Sequence, residues 1–145
     1  MKAKDAIFLI AITLVFTGAQ AQNDVKVAPL PDCPSASELS PDHLFGLWRA
    51  EFSGLLPGAT LLLEKHPQWP GSFSGGVNRA SVQSRISGEL EADEFSLEES
   101  ADGVQVSAVW QGTLLAGSCG KEIRGTWNSA TNRTLYPFVM RKLPG

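Results

Sequence analysis

The feature that most constrains the fold is a two-residue alternation of apolar and polar side chains, which returns in short runs from residue 46 onward. Successive side chains of a β-strand point to opposite faces, so each run is typical of a strand with one buried face and one solvent-exposed face. Turn-forming residues separate the runs, and Asp102-Gly103 is the strongest of these hairpin signals. The predicted strands are residues 46–53, 59–66, 72–78, 81–91, 94–100, 104–112, 119–127 and 134–142.

The short connections between these runs predict an antiparallel meander, because parallel strands need long crossover connections. Eight strands are enough to close on themselves and so to remove the exposed sheet edges. Leu56-Pro57-Gly58 is predicted to be the turn between the first two strands, and Gly75-Gly76 indicates a bulge or a close backbone approach in the third. The sequence therefore predicts an all-β protein: an eight-stranded antiparallel up-and-down barrel with a short N-terminal arm.

The first residues are typical of a secretory signal peptide. Lys2 and Lys4 precede a ten-residue apolar run at positions 7–16, and Ala19-Gln20-Ala21 matches a cleavage site. The apolar run is shorter than the roughly 20 residues of a membrane-spanning helix. We expect a signal peptide at residues 1–21, an N-terminal arm with a helical turn at 22–45, and the barrel domain at 46–145. This predicts a periplasmic or secreted protein without a membrane anchor after cleavage.

Two cysteines, Cys33 and Cys119, remain after the predicted cleavage. An even pair in an oxidising compartment predicts a disulfide. The alternatives are two free thiols or a metal pair. A metal site would need further ligands nearby, and His43 and His66 are the only histidines, so no metal site is predicted.

The charge pattern excludes some classes of partner. Without Lys2, Lys4 and Asp5 the chain has 10 basic and 14 acidic side chains, and the basic ones are scattered. Nucleic acid and anionic membrane surfaces are therefore not expected partners. The acidic residues of strands four and five are assigned to a solvated outer face, with a cation site or a basic protein partner as the alternative. They are Glu89, Glu91, Asp93, Glu94, Glu98, Glu99 and Asp102.

The start of the first strand resembles that of a known superfamily. A helical turn followed by Gly46-Leu47-Trp48 is similar to the beginning of the calycin barrels, which include lipocalins and avidins. The resemblance implies that a basic residue of the last strand packs across Trp48 and closes one barrel end. Arg141 is the expected residue and Lys142 the alternative. The lipocalin motif Thr-Asp-x-x-Tyr and the biotin-binding polar residues of avidins are not visible, so biotin binding is not predicted.

A second resemblance concerns residues 35–48, "SASELSPDHLFGLW". This stretch is similar to the lead into the first strand of small periplasmic inhibitors of secreted metallopeptidases. Those proteins use an eight-stranded avidin-like barrel and insert an N-terminal segment into the peptidase cleft. Their cysteine pair lies within the barrel, whereas Cys33 lies ahead of it here.

Four residues are candidates for ligand contact. Trp110 and Trp127 are predicted to point into the barrel, where they either fill the core or form aromatic walls around a small ligand, with Ser84 as a polar group. Trp69 lies in the loop "HPQWPG". It is expected to be a lid or a partner contact, or else to pack on the barrel rim.

Motifs for catalysis are not visible: there is no Gly-x-Ser-x-Gly and no paired-His metal motif. We therefore expect no enzyme and no cofactor. The leading hypothesis is an exported non-catalytic protein that holds a small apolar or amphipathic ligand in its barrel. The alternative is a protein-interaction barrel, such as a peptidase inhibitor that acts through its N-terminal arm and rim loops.

Overall fold

The fold is a closed barrel of eight antiparallel strands that follow one another in chain order. The structure is a computed structural model and describes residues 33–145; the predicted signal peptide and residues 22–32 of the predicted arm lie outside the described residues. Two short 3-10 helical turns, Ala36–Glu38 and Pro41–Leu44, precede the barrel. The strands are β1 Gly46–Phe52, β2 Leu55–Lys65, β3 Ser72–Arg79, β4 Val82–Glu91, β5 Glu94–Ser100, β6 Ala108–Leu114, β7 Glu122–Ser129 and β8 Leu135–Lys142.

The barrel closes where β1 pairs with both β2 and β8. Trp48 is opposite Leu61 on one side and opposite Lys142 on the other. Every strand therefore has two neighbours, and no sheet edge is left open. This confirms the predicted all-β, eight-stranded antiparallel barrel. In the part of the chain that the structure describes, no helix is long and apolar enough to cross a membrane.

The two ends of the barrel differ. The second 3-10 turn, Pro41–Leu44, lies at the end where β1 begins, and this is called the covered end. The connections 66–71, 92–93 and 115–121 lie at the same end. The connections 53–54, 80–81, 101–107 and 130–134 lie at the opposite end, which is called the loop end.

The alternation of the sequence is reproduced as burial. In β1, Trp48, Ala50 and Phe52 are buried, whereas Arg49 and Glu51 are exposed. All eight strands contribute to one hydrophobic core inside the barrel, as a closed antiparallel sheet requires. The largest fully buried side chains are Trp48, Trp110, Phe73, Phe95, Leu44, Leu61, Leu63, Leu97, Ile123 and Met140.

The first hairpin differs from its prediction. The turn is Ser53-Gly54, and the predicted turn residues Leu56-Pro57-Gly58 lie inside β2. The pairing register shifts between Ala50 and Phe52, so β1 and β2 are irregular beside Pro57. Proline is tolerated in a strand at such an irregularity because it has no N–H to give to the ladder.

The connection before β6 also differs from its prediction. The predicted strand begins at residue 104, but Val104 and Val106 are exposed and lie in the 101–107 connection. The side chain of Asp102 accepts hydrogen bonds from the N–H groups of Val104 and Gln105, both at 2.8 Å. These bonds hold the backbone in a turn and keep it out of the ladder, so β6 begins only at Ala108.

Candidate functional site

Trp110 and Trp127 meet inside the barrel, toward the loop end. They are directly opposite each other on β6 and β7, and both are buried. Phe52 lies 5.4 Å from the ring of Trp110 and 5.8 Å from that of Trp127, measured between ring centroids. Phe138 packs edge-on against Trp110 at 5.1 Å. These four rings form an aromatic layer across the barrel.

A buried carboxylate organises this layer. Glu99, on β5, is only 3% exposed and points into the barrel. Its Oε2 accepts hydrogen bonds from the indole N–H groups of Trp110 and Trp127, at 3.2 and 3.1 Å. Its Oε1 accepts a hydrogen bond from Nη2 of Arg79 at 3.2 Å, which is also an ion pair. A buried charge persists only with such partners, so the four side chains act as a unit.

Sequence analysis placed Glu99 on the outer acidic face, and that assignment is wrong. The signal that would have found it is the alternation of β5, because Phe95, Leu97 and Glu99 share one face. Of the other acidic residues in that group, Glu89, Glu91, Glu94, Glu98 and Asp102 are exposed.

Arg79 completes the layer from β3. Its guanidinium carbon lies 4.4 Å from the ring centroid of Trp127 and 6.0 Å from that of Phe52, in cation–π geometry. Nη2 binds Glu99, whereas Nη1 is buried and has no acceptor among residues 33–145. The layer therefore leaves the Nη1 amino group of Arg79 without an acceptor among the described residues.

These contacts bear on the two roles considered for Trp110 and Trp127. A ligand between the indoles would have to break the hydrogen bonds that each donates to Glu99. The geometry thus favours core filling, while ligand contact by Trp110, Trp127 and Ser84 stays a prediction. Ser84, on β4, is buried beside the core, but its hydroxyl is not in this hydrogen-bonded unit.

The covered end is closed by Trp48 and the second 3-10 turn. The indole N–H of Trp48 donates to the carbonyl of Leu44 at 2.7 Å, and both residues are fully buried. Gly46 has a φ of +127°, a backbone conformation that other residues rarely adopt. The chain can therefore bend into β1 directly below this contact.

Arg141 does not pack across Trp48, which corrects the expectation from the calycin resemblance. Neighbouring residues of a strand face opposite sides, and the guanidinium of Arg141 lies on the outer face, 3.1 Å from Glu122. Lys142, the alternative, lies on the Trp48 side, and its Nζ donates to the carbonyl of His43 at 2.7 Å. Burial, and secondarily the charge of Lys121, lowers the pKa of Lys142.

The predicted disulfide is present. Cys33 and Cys119 are joined, with their Cα atoms 5.1 Å apart. The bond ties the first described residue to the 115–121 connection at the covered end. A disulfide of this kind is typical of an oxidising, extracellular compartment.

Trp69 lies on the outside of the barrel, apart from the interior tryptophans. Its side chain is 59% exposed in the 66–71 connection and stacks on His66, with ring centroids 4.4 Å apart. Nδ1 of His66 accepts the N–H groups of Gln68 and Trp69, both at 3.1 Å, and so fixes the loop. The structure therefore does not bring Trp69 together with Trp110, Trp127 and Ser84.

The described residues 33–145 contain no group of three or more His, Cys, Asp or Glu side chains that could hold a metal ion. Glu122 is the most heavily paired acid on the outer face. Hydrogen bonds from Arg124 and, to a lesser extent, Arg141 lower the pKa of its carboxyl group.

Comparison with known proteins does not assign the chain to a family. No protein-family model matches the chain. A search of curated proteins found no match. The architecture is thus established by strand order and closure, which are compatible with a calycin-like barrel.

Proposed function

We propose that this protein is an exported, non-catalytic, calycin-like barrel whose ligand is another protein. The observation that carries the proposal is the filled interior, in which the indoles of Trp110 and Trp127 are fixed to Glu99 and covered by Arg79. A barrel that is packed by its own side chains leaves its outer surface and its ends for binding.

The covered end is the contact surface that we propose. Its connections and the segment after β8 expose large apolar side chains: Trp69, Leu115 and Leu143. Exposed aromatic and aliphatic groups of this kind are typical anchors of protein interfaces. Cys33 is fixed to the same end by its disulfide to Cys119, so the described part of the chain begins beside this surface.

The arrangement supports the inhibitor form of this function. Leu39 and Leu44 pack into the core between Cys33 and β1, and thus hold the end of the arm on the barrel. In the periplasmic metallopeptidase inhibitors that residues 35–48 resemble, the preceding segment enters the peptidase cleft. We therefore propose a secreted peptidase as the partner and the periplasm or the extracellular space as the location. The predicted signal peptide and the disulfide support that location.

A small-molecule ligand is the second candidate. The observation that favours it is Nη1 of Arg79, which is buried without an acceptor among the described residues. A small molecule with an acceptor oxygen would satisfy this N–H group. It would enter from the loop end, and it would have to find space beside the rings of Phe52 and Trp127.

The inhibitor form is tested by deleting residues 22–32 from the mature chain. The intact protein is expected to inhibit a secreted metallopeptidase of the producing organism in a saturable, one-to-one titration. The deletion is expected to weaken inhibition at least tenfold and to leave the thermal unfolding midpoint unchanged. Glu89→Gln, an exposed change on β4, is the control and should inhibit like the parent protein. Equal inhibition by the deleted chain, or no inhibition by the intact chain, would contradict the proposal.

A further inference from the structure

A groove of about 630 Å³ lies on the outer face of the barrel, over β2, β3 and β4. Two rows of paired residues cross it. Leu62, Gly76 and Arg85 form one row, and Thr60, Asn78 and Gln83 form the next. Leu47 bounds the groove on one side, and Asp102 and Gly103 bound it on the other.

Gly76 forms the floor of the groove, and packing does not require a glycine there. A Cβ added at Gly76 would meet nothing nearer than Ser84 O, at 3.6 Å, which is an ordinary contact. Added Cβ atoms at Gly75 and Gly88, in contrast, would overlap backbone oxygens of the adjacent strands. Glycine is unfavourable in strand interiors, so the open floor is the one structural effect of Gly76 seen here.

One side of the groove is apolar. Leu47 and Leu62 are direct neighbours across β1 and β2, with side chains 48% and 38% exposed on the outer face. Two adjacent leucines beside an open floor offer an apolar side chain a place to bury surface.

The other side carries an available positive charge. Arg85 is exposed and forms no ion pair with any residue of the described chain. Asp102, the carboxylate that lines the groove, forms no ion pair with Arg85, and its Oδ1 accepts the N–H groups of Val104 and Gln105. These hydrogen bonds lower the pKa of Asp102, so its charge stabilises the loop. Arg85 thus remains free for a carboxylate from another molecule.

We infer that the groove binds a short segment of the partner protein in which an apolar side chain lies next to Asp or Glu. The apolar side chain would pack on Leu47 and Leu62, and the carboxylate would pair with Arg85. Thr60, Asn78 and Gln83 would offer hydrogen bonds to the peptide backbone. The inference rests on the proposed function, since it assigns a second contact surface to the same protein partner.

The direct test is an NMR titration of the mature chain with the probe peptide acetyl-Leu-Asp-Leu-amide. Saturable shift changes are expected at the backbone amides of Leu62, Gly76, Arg85 and Gly103. Gly76→Val fills the floor and Arg85→Gln removes the charge, so each is expected to weaken peptide binding at least fivefold. Ser87→Val, which places the same side chain on the outer face of β4 but outside the groove, is the control and should bind like the parent protein. The probe acetyl-Leu-Asn-Leu-amide should bind at least fivefold more weakly.

Several results would overturn the inference. These are the absence of shift changes at the groove, or equal peptide binding by a folded Gly76→Val variant. Saturable binding of dodecanoate at these amides without peptide binding would show a small amphiphile as the occupant.

The chain without residues 22–32 should still bind the peptide. If this deletion abolishes peptidase inhibition while Gly76→Val leaves inhibition unchanged, the groove assignment fails and the proposed function stands. Peptide binding at the groove without any inhibition would support the groove assignment and contradict the inhibitor form of the proposed function.

Discussion

Glu99 shows how one residue can fix the interior of a small barrel. Its two oxygens accept N–H groups from three strands, since Arg79 lies on β3, Trp110 on β6 and Trp127 on β7. Removing a buried charge from such a unit leaves its partner charge without compensation. The stability of the loop end therefore depends on this one carboxylate.

Glu99→Gln is expected to lower the free energy of unfolding by about 2–4 kcal/mol, because it leaves the charge of Arg79 unpaired. This loss lies toward the low side for a broken buried ion pair. The side chain of Arg79 is 20% exposed, so water partly solvates the charge that is left unpaired. Urea denaturation monitored by tryptophan fluorescence measures the change. The neighbouring Glu98→Gln, on the exposed face of β5, is the control and should change stability by less than about 0.5 kcal/mol.

The double variant Arg79→Met with Glu99→Gln separates the ion pair from general packing. Both charges are absent in this variant, so it should be more stable than the sum of the two single changes predicts. Strict additivity of the two single effects would argue against a coupled buried pair.

The residue scale also shows the limit of sequence analysis. The inward position of Glu99 follows from the spacing of Phe95 and Leu97 and could have been predicted. The partners of Glu99 could not have been predicted. Arg79 and Trp127 are distant in sequence, and they meet only because the sheet closes into a barrel.

At the scale of elements, the second 3-10 turn is held on the barrel by two hydrogen bonds, one from the first strand and one from the last. Trp48 donates to the carbonyl of Leu44, and Lys142 donates to the carbonyl of His43. Both carbonyls belong to the turn Pro41–Leu44. The turn would otherwise leave these acceptors unsatisfied beside the core.

Trp48→Ala is expected to lower the free energy of unfolding by about 3–5 kcal/mol, because it removes a fully buried indole and frees the turn. Thermal and urea unfolding measure the loss. Trp69→Ala is the matched control, and since its side chain is exposed it should cost less than about 1 kcal/mol. A loss below about 1 kcal/mol for Trp48→Ala would show that Trp48 does not close this end.

The strand bounds were predictable where the alternation is clean, and the prediction failed where a local turn interrupts the alternation. The bounds of β5, Glu94–Ser100, are those predicted. The start of β6 was placed too early because Val104 and Val106 continue the alternation, although Asp102 holds this segment in a turn. The expectation that Arg141 packs over Trp48 was also wrong, since the facing of Arg141 depends on the register of β8 with β1.

At the scale of the whole molecule, the disulfide and the barrel are separate sources of stability. Cys33 and Cys119 are 86 positions apart, and the enclosed loop contains β1 to β6. All strand pairing lies within residues 46–142, so closure itself does not need the bond. The disulfide should act mainly by restricting the unfolded chain and by holding the N-terminal segment.

The variant Cys33→Ser with Cys119→Ser is expected to keep the barrel but to lose at most about 4–5 kcal/mol of stability. Circular dichroism should show unchanged strand content, and the thermal midpoint should fall. Reduction of the parent protein should reproduce the same shift. Loss of all strand signal at room temperature would instead show that the barrel depends on the bond.

The closed all-β architecture was predictable because period-two alternation and short connections leave few alternatives. Whether the interior is open or packed was not predictable, because that depends on how side chains from all eight strands meet. The interior is filled by the protein's own side chains, and we propose that binding takes place on the outside of the barrel.

Native mass spectrometry of the mature chain, purified from the exported fraction without denaturation, tests this claim most directly. A filled interior is expected to give the mass of the oxidised polypeptide alone, two hydrogens lighter than the reduced chain, with no additional small molecule. A reproducible one-to-one adduct of a few hundred daltons that is lost in Trp127→Ala would contradict it. That result would place a ligand between the indoles that Glu99 now holds.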